Sequence, residues 1–167
     1  NQMALMNSVS GTASTIACSW LPQYHDAGLI GIQLLTVFCA GSCVLMAPLT
    51  FIGEPFLWLS AMSKYRAHQT CAPNFAYDLC VRKVSPEQRA SLSLSHVVSF
   101  ANGAEPVTAS VINAFTSVFS TCGVLAGAMN PTYGMAEYGS TVSSSLRECR
   151  VIICCVCCVQ LYLPVIE

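Results

Sequence analysis

Short apolar runs that stop at turn residues alternate along this chain with longer stretches of helical spacing, and that alternation limits the fold more than any single motif. Thr15-Ile16-Ala17-Cys18-Ser19-Trp20-Leu21 is closed by Pro22, and Cys43-Val44-Leu45-Met46 is soon followed by Pro48. Thr70-Cys71-Ala72 and Val97-Val98-Ser99-Phe100 are of the same kind. Runs this short, bounded by turn residues, read as buried strands. Between them lie helical patterns. Gly28 to Ala40 is stopped by Gly41, and Glu54-Pro55 opens a helix with Phe56, Leu57, Leu59 and Met62 on its apolar stripe and Lys64 and Arg66 near its end. Further helices are expected from Phe75 through Cys80 and after Ser85-Pro86-Glu87, where a serine caps and a proline takes the first position. Leu125 to Asn130 reads as a last strand, Pro131-Thr132-Tyr133-Gly134 as a final turn, and a helix is expected from about Met135. Strands alternating with helices predict an α/β fold, a mostly parallel sheet with flanking helices.

Composition separates two homes for so apolar a chain. It is 54% hydrophobic and 9% charged over 167 residues, against about 25% charged in ordinary soluble domains. From Ala27 to Gly53 no side chain is charged, a run long enough to span a bilayer. Gln33, Gly41-Ser42 and Pro48 cut that run into a helix-length and a strand-length piece, so the interior of an α/β domain is the expected home and a membrane is not. Seven basic residues against eight acidic give a net charge of −1, which leaves no electrostatic footprint for a nucleic acid. Six of the eleven cysteines are scattered through apolar segments, where a free thiol behaves as a small hydrophobe. No basic n-region or secretory pattern is present, and a reducing cytoplasm is the expected location.

Asn102-Gly103-Ala104-Glu105-Pro106-Val107 joins the strand at Val97–Phe100 to a helical pattern of Val107, Val111, Ile112, Phe115 and Phe119. Pro106 suits the first turn of that helix. A strand that turns sharply into a helix exposes backbone N–H groups and a positive dipole end, which favours a nucleotide or another anion. In parallel sheets ligands collect outside the C-terminal strand ends. Three polar loops fall at such ends: Ser19-Trp20-Leu21-Pro22-Gln23-Tyr24-His25-Asp26, Asn102 to Val107, and Tyr133-Gly134-Met135-Ala136-Glu137.

Together these three loops resemble the adenylate-forming superfamily of acyl- and aminoacyl-activating enzymes, with fatty acyl-AMP ligases the nearest likeness. Ala72-Pro73-Asn74-Phe75-Ala76-Tyr77-Asp78-Leu79-Cys80-Val81-Arg82-Lys83 and Leu45-Met46-Ala47-Pro48-Leu49 carry the same resemblance, which runs from about Ser19 to Ser145. It implies that a fatty acid's carboxylate is joined to the α-phosphate of ATP, with Mg2+, and that the acyl group passes to an acyl carrier protein or to CoA. By the same resemblance Glu137 would help hold magnesium and act in catalysis, Tyr133 would lie against adenine, and Gly103, Ala104 and Glu105 would line the adenine pocket. Asn102, Pro106, Gly134, Met135 and Ala136 belong to the same nucleotide-binding stretches, and His25 would stand where nucleotide and acyl pocket meet. Trp58, Phe75 and the Gly28–Ala40 helix are candidates for the acyl region. Outside the resemblance each residue has a plainer role: a glutamate as a helix dipole partner, a tyrosine as turn packing, a histidine held by hydrogen bonds. His68 and His96 match no motif and are expected to be structural.

The resemblance also implies parts that this sequence does not supply. No lysine accompanies the small polar residues Ser8 to Ser14, where a phosphate loop would stand, and neither a ribose-binding aspartate nor a C-terminal-domain lysine has a counterpart after Glu137. The expectation is therefore a partial adenylation domain over residues 1–148, an incomplete piece of the large N-terminal domain, unable to catalyse alone. The alternatives are a non-enzymatic remnant and a membrane-associated piece. Residues 149–167 form an apolar, cysteine-rich tail expected to be foreign to the domain. Its overlapping C-x-x-C spacings, Cys154/Cys157 and Cys155/Cys158, lack the second ligand pair that zinc requires.

Overall fold

The computed structural model describes residues 15–135, 140–146 and 149–152. Strand β1, Ile16–Ser19, is followed by helical segment α1 in three successive stretches, Asp26–Gly28, a π-helical Leu29–Leu34 and Leu35–Phe38. Next come β2 (Ser42–Leu45), α2 (Pro48–Gly53), α3 (Phe56–Tyr65), β3 (Gln69–Ala72), α4 (Asn74–Lys83), α5 (Pro86–Ala90), β4 (Ser99–Asn102) and α6 (Ala109–Phe119). After two short 3-10 turns, β5 (Met129–Met135), β6 (Ser140–Leu146) and β7 (Cys149–Ile152) end the described chain. The strands form one sheet in the order β2-β1-β3-β4-β5-β6-β7. The first five are parallel, and β6 and β7 are antiparallel additions. The mostly parallel α/β sheet expected from the sequence is the one observed.

Strand order reverses at β1: the chain steps from β1 out to β2, then back across to β3. Right-handed crossovers are nearly universal in parallel sheets, so α1 lies on one face and α3, α4 and α6 on the other. That second face carries the main core. Trp58, Leu59 and Met62 of α3, Tyr77 and Cys80 of α4, and Phe115 and Phe119 of α6 pack there against Cys18, Ala72 and Phe100 of the strands. Each fully buried large apolar side chain contributes about 1.5–3 kcal/mol by leaving water. The polar atoms among them are paired. Trp58 Nε1 donates to Thr70 Oγ1 at 3.2 Å, Thr70 Oγ1 donates to the Cys18 carbonyl at 2.7 Å, and Tyr77 Oη donates to the Ala101 carbonyl at 2.7 Å.

Four expectations are corrected here. Trp58, offered as an acyl-region residue, is wholly buried in this core. Pro106 lies before the capping residue Thr108, not in the first turn of α6. Within the run Leu125–Asn130 the residues Ala126–Ala128 form a 3-10 turn, and the strand starts only at Met129 and runs to Met135 through the Pro131–Gly134 segment expected to turn. The helix expected from about Met135 is contradicted by β6 at Ser140–Leu146, which pairs antiparallel with β5. The α2 helix, opened by Pro48 at its first position, is an addition that the sequence reading did not name.

Candidate functional site

A cleft of about 400 Å³ opens at the C-terminal end of the parallel strands, where β1 and β3 part. The volume falls within the usual range for ligand sites, roughly 300–1,000 Å³. Its position at the point where strand order reverses is where doubly wound sheets place their ligands. Trp20, Leu21 and Pro22 continue β1 into it, and His25, Asp26 and Ala27 follow from the start of α1. Cys71 to Pro73 and Phe75 come from the β3–α4 junction, Gly103 and Ala104 from the end of β4, and Gly134 from β5.

The wall at β1 is aromatic. Trp20, 4% exposed, stacks on Phe51 with ring centroids 4.1 Å apart and 7° between planes. Its edge contact with Phe75 spans 6.2 Å, and Phe75 is 41% exposed at the cleft. Trp20 therefore joins the core to the cleft. The β4 wall is bare backbone. A Cβ on Gly103 would stand 2.4 Å from Thr132 Oγ1 and 2.6 Å from the Thr132 carbonyl, so only glycine fits against β5 there. Ala104 next to it holds a left-handed φ of 68°, which non-glycine residues adopt only under restraint from their surroundings.

His25 takes part in local capping. His25 is the N-cap of α1; its Nδ1 accepts from the Ala27 N–H at 3.1 Å and lies 2.7 Å from Asp26 Oδ1. Both contacts cannot be hydrogen bonds of one protonation state. The neutral ring with its proton on Nε2 accepts from Ala27, and a ring protonated at Nδ1 pairs with Asp26. Asn102 is fully buried; its Nδ2 donates to Asn74 Oδ1 at 3.0 Å, and its own Oδ1 has no partner. Glu105 Oε1 accepts from the Phe75 backbone N–H. Pro106 is exposed. Tyr133 is 42% exposed on β5 at a bulge in the β5–β6 pairing, and it does not line the cleft. Gly134 does, and Met135 ends the strand. Ala136 and Glu137 lie outside the described residues, as do the C-x-x-C cysteines 154 to 158.

Sequence reasoning quoted Trp20, Pro22 and Asp26 within a motif without giving them roles, and it missed Cys71 as a wall residue. Burial pushes the Cys71 thiol up to about 12, with the Asp26 carboxylate adding to it. A thiol held protonated in this way is a packing group and not a nucleophile. His68 Nδ1 accepts from the Ile16 N–H at 3.0 Å and His96 Nε2 lies 3.1 Å from the Met62 carbonyl, both structural positions.

The cleft suits the flat, partly apolar half of a nucleotide. Trp20 Nε1 and Asn102 Oδ1 are buried polar atoms without partners in residues that form or border it. Among the described residues no group of three or more His, Cys, Asp or Glu is gathered, and Glu137, the residue offered for magnesium, lies outside them. No helix among the described residues is long and apolar enough to cross a membrane.

An open parallel sheet with a crevice at its switch point defines a doubly wound, nucleotide-type α/β domain. The family model of AMP-binding enzymes matches residues 1–162, and the chain belongs to that family. It is 42% identical over 148 residues to the medium-chain-fatty-acid–[acyl-carrier-protein] ligase TtuA of Teredinibacter turnerae, a match covering 89% of this chain and 23% of that protein. It is 41% identical over 119 residues to the probable long-chain-fatty-acid–AMP ligase FadD30 of Mycobacterium tuberculosis, over 71% of this chain and 20% of the relative. The fatty acyl-adenylate ligase of L. pneumophila, solved with acyl adenylate and pyrophosphate, superposes with a TM-score of 0.84 at 35% identity over 87% of this chain and 26% of that one. The chain spans about a quarter of the length of the relatives it matches.

Proposed function

We propose that this chain is part of a fatty-acid-activating enzyme and supplies the cleft in which an acyl-adenylate forms. The observation that carries this reading is the convergence of the Trp20–Ala27, Ala72–Phe75 and Gly103–Ala104 segments on one crevice at the sheet's switch point. In the reaction a carboxylate oxygen of the fatty acid bonds to the α-phosphorus of ATP, the α–β phosphoanhydride bond breaks, and pyrophosphate leaves. Magnesium, when bound, would offset the phosphate charge, with Glu137 the residue proposed to help hold it. The bare backbone of Gly103 and Ala104 would let adenine approach closely, and Tyr133, on the neighbouring strand and outside the cleft wall, is the residue proposed to lie against the ring. Trp20 and Phe75 give the acyl end an apolar wall that excludes water. His25, at the lip, would orient the carboxylate. An acyl carrier protein is the proposed acceptor, in keeping with the activity named for TtuA, and CoA is the alternative.

Titration calorimetry of the purified chain with decanoyl sulfamoyl adenosine, a non-hydrolysable acyl-adenylate mimic, tests the reading. Saturable binding is expected, stronger than that of AMP or decanoate alone. A folded chain that binds none of the three would overturn it.

A further inference from the structure

Glu105 stands in the stretch expected to line an adenine pocket, yet its carboxylate is already engaged. Oε1 accepts the backbone N–H of Phe75, the second residue of α4. That helix starts behind Pro73, and no side chain of its own capping residue satisfies its first turn. The first N–H groups of a helix need acceptors from elsewhere. A carboxylate is well suited, through the helix dipole and through a charge-assisted hydrogen bond. Glu105 supplies it from 30 residues further along the chain.

The same loop is tied to the same helix end a second time. Asn74, the first residue of α4, accepts through Oδ1 from Asn102 Nδ2 at 3.0 Å and from the Thr108 N–H at 3.5 Å, and donates through Nδ2 to Thr108 Oγ1 at 3.4 Å. The 102–108 loop is thus held at both ends by Asn74 and in its middle by Glu105. Ala104, in its left-handed conformation, sits between these ties. Ala104 and Phe75 are both walls of the cleft.

We propose that Glu105 is a positioning residue that clamps the β4–α6 loop to the first turn of α4 and so fixes the Ala104 and Phe75 walls of the cleft. This rests on the reading above that the cleft takes an acyl-adenylate. The clamp acts through the backbone of Ala104 and the ring of Phe75, whose edge contact with Trp20 carries the restraint into the aromatic wall.

The test combines amide hydrogen exchange and ligand titration on the full chain, comparing wild type with Glu105→Ala and Glu105→Gln. Glu105→Ala is expected to speed exchange at Phe75 by about fivefold, as for loss of a helix cap, and to speed it beside Ala104, at Gly103, whose N–H donates to the Ala72 carbonyl at 3.3 Å. Apparent affinity for decanoyl sulfamoyl adenosine should fall by about the same factor, because a smaller fraction of the chain is binding-competent. Glu105→Gln keeps an acceptor oxygen and should recover most of both effects, and it also serves if Glu105→Ala does not fold. Unchanged exchange at Phe75 overturns the clamp. Faster exchange at Phe75 with Gly103 and affinity unmoved reduces Glu105 to a helix cap and overturns the positioning role. Lost affinity with exchange unmoved makes Glu105 a ligand contact and overturns it too. If wild type fails to bind the mimic, the functional reading falls, and joint acceleration at Phe75 and Gly103 still decides the clamp.

Discussion

Gly103→Ala is the sharpest perturbation that the structure offers. The added methyl carbon would stand 2.4 Å from Thr132 Oγ1 and 2.6 Å from the Thr132 carbonyl oxygen. The hydroxyl can rotate away, but it then gives up its 3.3 Å hydrogen bond to the Asn102 carbonyl, worth about 1 kcal/mol. The carbonyl cannot rotate, because Thr132 lies in β5 and is paired with Ser144 of β6. Forcing strand backbone aside in a packed region costs about 1–3 kcal/mol. Together these give about 3 kcal/mol, a fall in melting temperature of about 6–12 °C for a chain of this size. Gly53→Ala is the matched control, since nothing lies within 4 Å of a Cβ there; it should change stability by less than about 1 kcal/mol. Thermal melts of both variants by circular dichroism check the contrast. A Gly103→Ala chain that melts with the Gly53→Ala control would refute the close approach of β4 and β5 at this point.

Three further outcomes are expected. Tyr77→Phe should lose about 1 kcal/mol in chemical denaturation, because the buried Tyr77 ring gives up the phenol's 2.7 Å hydrogen bond to the Ala101 carbonyl. Burial pushes the thiols of Cys18 and Cys71 up to about 12 and that of Cys43 up to about 11, so site-resolved mass spectrometry after iodoacetamide at pH 8 should find all three unmodified in the folded chain; rapid alkylation of Cys71 would contradict its packed state. Burial is also the main cause that lowers the His96 pKa below its ordinary value, with Arg66 and His68 adding to it and the Met62 carbonyl opposing. The fold therefore favours the neutral ring, its contribution is complete above about pH 6.5 and is lost as pH falls, and His96→Asn should flatten the decline in melting temperature between neutral and mildly acid pH.

The contrast between what the sequence disclosed and what it hid follows sequence distance. Strands β1 to β4 and the helices after Glu54, Pro73 and Ser85 were legible because each is written by neighbours: a periodicity, a stopping proline, a cap. Ser85 and Gln88 form the capping box that the Ser-Pro opening announces. The errors cluster at β5, where local signals and tertiary context disagree. Pro131 and Gly134 argue for a turn, but Pro131 occupies the last position of the parallel ladder, opposite Asn102, where a missing N–H is tolerated. From Thr132 on, the strand is held by β6 instead, and no local periodicity could announce that partner.

The same distinction governs the cleft. Motif order was enough to gather the stretches around Trp20, Gly103 and Gly134 at one end of the sheet, because in a parallel sheet every strand's C-terminal end falls on the same edge. It could not assign what each side chain does there. His25 spends Nδ1 on its own helix cap, Tyr133 stays off the cleft wall, and Glu105 reaches across 30 residues to Phe75. These roles depend on which backbone donors the fold leaves free: Ala27 at the start of α1, and Phe75 behind a proline that cannot cap. At the cleft the walls are the backbone of Gly103 and Gly134 and the aromatic rings of Trp20 and Phe75, while His25 and Glu105 beside them each hold the start of a helix.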